Sequence, residues 1–268
     1  MKKLLLFSML AGLTATSCQK VIELDIQESD LQYVLESEMT EGGPKVVALK
    51  ISQTAPFLSG DEPKRVENAS VVLYDDQGNS LPLVHRDSGI YQTTYEALPD
   101  HTYRLQVDFG GEQYLAESFL PAHSELLGAR AEPQDSSGIF IGYQIKFSYQ
   151  DPANRDDYYR LRMTVNGKVQ NSERADAIFF NDQSNNGLTV TRTIRNKTFQ
   201  SGDEVKLELL SMTKENFRYQ REVFDMAFVS AASNFSAAAP GNPINNWTGP
   251  VVGNFTTYGL DELTYVVP

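Results

Sequence analysis

The chain has 268 residues, 41% of them hydrophobic and 10% aromatic, with a formal net charge of −12. That length and apolar content supply cores for one large or two ordinary domains and argue against disorder. The acidic balance argues against nucleic acid or anionic lipid headgroups as partners, since both are themselves negative.

Met1-Lys2-Lys3 is a cationic head, and Leu4 to Leu13 is a nearly continuous apolar run. A membrane-spanning helix needs about 20 such residues. The run is too short for that, and with Ala15-Thr16-Ser17 after it, residues 1–17 read as a secretory signal peptide. Cys18 follows and is the only cysteine. A lone cysteine closes no internal disulfide, whereas its place at the end of the signal suits lipidation of the first residue after cleavage. Ala15-Thr16-Ser17-Cys18 resembles a lipobox, with Ala15 where Leu is commoner. Each buried methylene contributes about 0.8 kcal/mol, and two or more acyl chains anchor stably. Residues 18–30 are then the lipidated cysteine and its tether, and the membrane is a partner through lipid on Cys18 alone. Losing Lys2 and Lys3 with the signal takes the net charge from −12 to −14.

Short strands dominate from there. Tyr33 to Met39 and Lys45 to Ser52 flank Glu41-Gly42-Gly43-Pro44, a turn composition. Ala69 to Tyr74 precedes the turn Asp75-Asp76-Gln77-Gly78-Asn79. Gly89 to Thr93, Thr102 to Phe109 and Glu112 to Phe119 follow, the last pair joined by Gly110-Gly111. This spacing predicts an immunoglobulin-like antiparallel sandwich over 31–122. Residues 129–138 are polar and turn-rich, so a boundary is expected between about 122 and 138. A second β-rich domain over 123–268 is expected from the runs Phe140 to Tyr149, Tyr158 to Val165 and Val205 to Leu210. It carries one helix over about 213–232, capped by Thr213 and with Phe217, Phe224 and Phe228 on one face. Residues 234–259 are rich in Asn, Gly, Pro and Ala and read as a long loop. Leu263 to Val267 reads as a closing strand. The fold class is mainly β.

The order of these pieces resembles the domain of unknown function 4249 family, lipoproteins of the Bacteroidota. The resemblance runs from Cys18-Gln19-Lys20-Val21-Ile22-Glu23 through the strand at Tyr33 to Thr40, then Ala69 and Val71, Gly89-Ile90-Tyr91, and Tyr103 with Leu105. It continues with Asp151-Pro152, Tyr158-Tyr159-Arg160, Gly202-Asp203, the helix aromatics Phe217 and Tyr219, and Gly253 with Phe255. The family commonly has Tyr where Phe217 stands, and a small residue and an aromatic after its Gly-x-Phe. The resemblance implies an outer-membrane lipoprotein, often encoded beside a TonB-dependent transporter. It carries over no catalytic residues.

Candidate site residues are few. His85, His101 and His123 lie apart without metal-like spacing, and no nucleophile elbow occurs. Asp182-Gln183-Ser184-Asn185-Asn186-Gly187 has oxygen side chains at alternate positions, but Thr193 stands where a calcium loop of this kind needs a bidentate Glu. An ordinary polar loop is expected there, with no metal and no cofactor. Asp151, Asp156 and Asp157 beside Tyr158, Tyr159 and Arg160 mix charge with aromatics as a sugar or peptide site does, although a strand with one buried face and a solvated turn is the favoured reading. Trp247, the only Trp, falls in an Asn-rich loop and is the first candidate for a partner contact, with plugging a domain seam as its other reading. No enzyme is expected. The leading expectation is a lipid-anchored outer-membrane binding protein, accessory to a TonB-dependent transporter. A structural or adhesive surface protein and a glycan-active enzyme with paired carboxylates are the alternatives. Which side of the outer membrane it faces stays open.

Overall fold

The computed structural model describes residues 30–268 apart from 57–59, 137, 154, 171–177, 196 and 232–241. Cys18 and the signal segment therefore lie outside the described residues.

Alternation of side chains builds the strands. In β1 (Tyr33–Thr40), Leu35, Ser37 and Met39 are buried while Glu36 and Glu38 face water, as a period of two requires. β2 (Gly42–Gln53) lies between β1 and β6 (Ile90–Ala97), antiparallel to both. β3 (Lys64–Arg65) is a short edge piece on β2. The opposing sheet runs β5 (Ser80–Asp87), β4 (Ser70–Asp75), β7 (His101–Phe109), β8 (Glu112–Leu120). β5 also pairs with β6, closing one edge. Leu35, Leu49, Ile51 and Tyr91 from the first sheet meet Leu73, Leu105 and Val107 from the second in one core. Distribution of strands over two packed sheets in this order is an immunoglobulin-like sandwich.

The pattern recurs. β9 (Leu126–Ser136), β10 (Ile139–Gln150) and β14 (Thr189–Thr193) form one sheet. β11 (Tyr158–Val165) and β15 (Glu204–Met212) form the other, with β12 (Lys168–Val169) and β13 (Ile178–Asn181) along β11. Ile145, Phe147, Tyr149, Tyr159, Leu161, Leu207 and Leu209 fill the space between. After β15 the chain makes α1 (Lys214–Ala231) before returning through β16 (Val251–Val252) to β17 (Phe255–Val266).

β17 belongs to both sandwiches. Its first residues pair in parallel with β1, from Ser37↔Phe255 to Thr40↔Tyr258. The rest pairs antiparallel with β15, from Ser211↔Gly259 to Glu204↔Val266. A continuous hydrogen-bonded path thus runs from β12 through β17 and β1 to β8. Gly259 marks the changeover, where Pro121–His123 crosses so closely that a Cβ would sit 2.4 Å from the Pro121 carbonyl oxygen. Gly253 (φ 103°) is equally constrained, since a Cβ there would fall 2.1 Å from the Leu35 oxygen.

Three expectations change. The stretch 129–138, read as polar and turn-rich, supplies most of β9; Ala129 and Ala131 pack on the second core. β9 is an edge strand, where Pro133 costs no ladder bond. The tail read as loop becomes strand from Phe255, because Phe255, Thr256, Thr257 and Tyr258 are all buried. The threonines enter the core with their hydroxyls bonded, Thr257 Oγ1 donating to the Phe119 carbonyl at 2.7 Å. The helix ends at Ala231, one residue inside its expected bound, and the Thr213 hydroxyl accepts from the Asn216 amide at 3.3 Å, the bond of an N-cap.

Candidate functional site

α1 packs on β11 through Phe217, whose ring lies 5.2 Å from Tyr158 and 5.7 Å from Phe179. That seat holds the helix beside the solvent face of β1 and β2 and leaves a groove of about 520 Å³ between them. One wall is Glu36, Glu38, Val46 and Lys50; the other is Tyr219, Gln220, Val223 and Phe224.

Arg160 forms the floor. Side-chain alternation on β11 turns Tyr159 and Leu161 into the second core and Arg160 outward beneath α1. The side chain is 8% exposed. Its guanidinium stacks 4.8 Å from the Phe224 ring and 5.6 Å from Phe179, and one Nη donates to Gln220 Oε1 at 3.1 Å. Burial lowers its pKa, and the nearby Tyr258 and Glu38 act against that, so the group stays cationic. Among the described residues its Nε has no hydrogen-bond partner, although buried donors nearly always have one. Glu38 is engaged elsewhere, accepting from Tyr258 and Arg162. Tyr219 has its phenol pushed up to about 12 by burial and by Glu36. The arrangement sets a guanidinium beside Val223 and Phe224 on the helix wall.

Behind the groove, Asn254 donates to Asn216 Oδ1 at 3.0 Å and to Thr256 Oγ1 at 2.8 Å. Asn216 in turn donates to Ser118 Oγ at 2.9 Å. These bonds fasten the start of α1 to both β8 and β17. A smaller hollow of about 280 Å³, lined by Phe119, Arg218 and Ile244 among others, lies beyond Asn254.

The residues singled out in the sequence fall elsewhere. Trp247 is not presented on an exposed loop: it is 6% exposed, its Nε1 donates to the Leu35 carbonyl at 3.0 Å, and its backbone bridges to Ala116 on β8. It closes the gap between β1 and β8 in the first core. Tyr158 lies half-buried under α1. Asp151 and Tyr159 are both 0% exposed, so neither is available to a partner. They are instead bonded to each other, Tyr159 donating to Asp151 Oδ1 at 2.6 Å. His101 pairs with Asp76 at 2.6 Å and His123 with Glu41, while His85 lies against Tyr91. Arg160 stood among the charged and aromatic residues singled out in the sequence, but the groove itself was not legible, because its walls come from strands and a helix almost 200 residues apart.

Asp151 lies beside Asp157, its companion in the sequence, and beside Asp182, which the sequence puts in a separate polar loop. Asp157 and Asp182 bring one carboxylate oxygen each to within 4.8 Å of it and of one another, and all three residues are buried. Arg155 chelates Asp157 with Nε at 2.7 and 2.9 Å and ties the Ala122 carbonyl with Nη2 at 2.8 Å. Desolvation raises the Asp157 pKa, Arg155 opposes this, and the Asp151 and Asp182 charges add to the rise. The Gly187 amide donates to Asp151 Oδ2 at 3.1 Å.

The profile of the family described as "Domain of unknown function (DUF4249)" matches residues 19–260. Among curated proteins none matches the chain. Solved structures similar in part include a two-domain fibronectin type-III segment of chicken tenascin, at 11% identity over 69% of this chain and 92% of that one, with a TM-score of 0.22. The chicken interferon gamma receptor alpha chain is similar at 9% identity over 68% of this chain and 89% of that one, with a TM-score of 0.22. The FN1–FN3 domains of chicken CNTN1 are similar at 10% identity over 70% and 62%, with a TM-score of 0.26.

Proposed function

The chain belongs to the DUF4249 family, and from that premise we propose that it is a lipid-anchored outer-membrane protein that works by binding, as an accessory to a TonB-dependent transporter. Anchoring is supported by the cationic head, the short apolar run and Cys18 directly after them. Binding is supported above all by one observation: the Arg160 guanidinium lines the groove beside Val223 and Phe224. A small solute with a hydrogen-bond acceptor or carboxylate for Arg160 and an apolar portion for Val223 and Phe224 suits such a place. Placing the groove on the outer face of β1–β2 leaves it open toward another protein.

Pull-down of the native protein from detergent extract tests the accessory role. Recovery of a TonB-dependent transporter is the expected result, and repeated recovery without one overturns it. Labelling with a palmitate analogue tests the anchor: the chain is marked, and Cys18→Ser abolishes the mark. Arg160→Gln should weaken capture of solute at least tenfold if the groove is the binding place.

One observation favours a surface-contact role beside this. Ile139, Phe140 and Ile141 stand 69%, 51% and 46% exposed in succession at the tip of the β9–β10 hairpin. Exposed apolar runs on a water-soluble protein mark contact surfaces.

A further inference from the structure

The cluster at Asp151, Asp157 and Asp182 is assembled from separate stretches of chain. Asp151 follows β10, Asp157 precedes β11, and Asp182 follows β13. The segments are laced together, since the Asp182 amide donates to the Asp157 carbonyl at 3.2 Å and the Asp151 amide to the Leu188 carbonyl at 3.0 Å. Exposures are 0%, 3% and 4%. Burying a carboxylate costs several kcal/mol unless it is compensated. Among the described residues the cation paired with the cluster is Arg155, on Asp157 alone, which leaves two negative charges for three carboxylates and one guanidinium.

Two buried oxygens here lack partners among the described residues. Asp182 Oδ2 makes no hydrogen bond among the described residues. Neither does the hydroxyl of Tyr149, which is 0% exposed, belongs to no carboxylate pair, and packs 5.2 Å from the ring of Tyr159. The Tyr149 ring also packs 5.6 Å from Phe180, beside the Tyr159 that donates to Asp151. Arg192 is near but outside hydrogen-bond geometry; it stacks 4.0 Å over Phe180, and its own Nε lacks a partner. Orphans on the rim of a doubly negative, buried cluster mark the place of a positive species.

We propose that Asp151, Asp157 and Asp182 bind a divalent cation, calcium before magnesium, which staples the β10–β11 and β13–β14 connections together. Oxygens no more than 4.8 Å apart close around one ion at about 2.3–2.6 Å with a shift of a few tenths of an ångström. The charge of the ion equals the uncompensated charge of the site. The bonds from Tyr159 and the Gly187 amide to Asp151, and from Arg155 to Asp157, use one lone pair of each oxygen and orient the others inward. Calcium accepts about six to eight oxygens in irregular geometry, so three carboxylates plus backbone carbonyls or water suffice, whereas magnesium requires a near-octahedral shell at about 2.1 Å. This is not the calcium loop considered in the sequence, which needed a Glu at Thr193. Only Asp182 of that stretch takes part, and its fellow ligands Asp151 and Asp157 lie 31 and 25 residues upstream.

The test uses the full chain in detergent, stripped with EDTA and titrated with CaCl₂ or MgCl₂. Calcium at a hundred times its Kd should raise the thermal midpoint by about 5 °C or more, with one ion bound by calorimetry and a smaller response to magnesium. Asp182→Asn keeps the shape of the side chain and removes the unpartnered anionic oxygen. Its midpoint in EDTA should equal or exceed that of the parent, with the calcium response gone. Terbium luminescence excited through tyrosine reads the site in the parent chain directly, because Tyr149 and Tyr159 adjoin it, and calcium should displace it. No calcium-dependent shift and no tyrosine-sensitised terbium signal in the parent chain would overturn the proposal. So would an undiminished calcium response in Asp182→Asn.

Discussion

Trp247 shows how a side chain's surroundings override its local sequence. Asn, Gly and Pro neighbours make it look like a loop residue, yet its indole seals the first core between β1 and β8. Trp247→Ala should cost about 3–5 kcal/mol, read by chemical denaturation, with the Leu35 carbonyl left without its donor. The asparagines that disguised this segment are what fix it. Asn246 Nδ2 donates to the Glu117 and Phe255 carbonyls at 2.8 Å each, and Asn245 Oδ1 accepts from the Trp247 amide at 3.0 Å. Polar composition reports hydrogen-bonding capacity, not exposure, and nothing in a single sequence tells which carbonyls will receive it. The same limit hid the carboxylate cluster, whose members each read as part of a turn. A residue-scale effect of pH follows from Asp203. Its pKa is lowered by bonds from the Gln200 amide and the Asn166 side chain. A carboxylate held below its unfolded value of 3.8 stabilises the fold above that pH and loses the contribution as pH falls through the folded value. Asp203→Asn should therefore lower the thermal midpoint at neutral pH, and the gap to the parent should shrink below about pH 3.8.

Elements with strict alternation were legible. β1, β2, β4, β7, β8, β11 and β15 all sit on runs read directly from the sequence, because burying one face of a sheet forces the period of two. α1 was legible from a cap and spaced aromatics. β9, β5 and the first half of β17 were not: two carry a proline, and the third is buried through threonines. β17 gives the sharpest test at this scale. Gly259→Ala places a methyl group against the backbone of Pro121–His123, with contacts of 2.4 to 2.8 Å and no flexible neighbour to give way. A loss of about 1–3 kcal/mol or more is expected, measured by denaturant unfolding. Ala in place of Gly43, which has open space around it, should be near neutral.

At the scale of the molecule, the two sandwiches are not beads on a string. Hydrogen bonds run without a break from one to the other through β17 and β1. Ser118, Asn216, Asn254 and Thr257 add a buried polar junction between β8, α1 and β17. Neither core can open without stripping this strand from the other. Calorimetry should show a single unfolding transition whose van't Hoff and calorimetric enthalpies agree; two resolved transitions would contradict the shared strand. The groove at Arg160 owes its existence to the same union, since one wall belongs to the first sandwich and its floor to the second.

Because residues 245–258 fill the seam between β1 and β8, the half of the protein synthesised first is finished last. A nascent chain that has emerged only as far as β8 holds a sandwich with a raw margin, lacking Trp247, Phe255 and the parallel partner of β1. Unpaired margins of that kind recruit other chains. The architecture thus favours a polypeptide kept unfolded until residues 245–258 are delivered, when both halves lock at once.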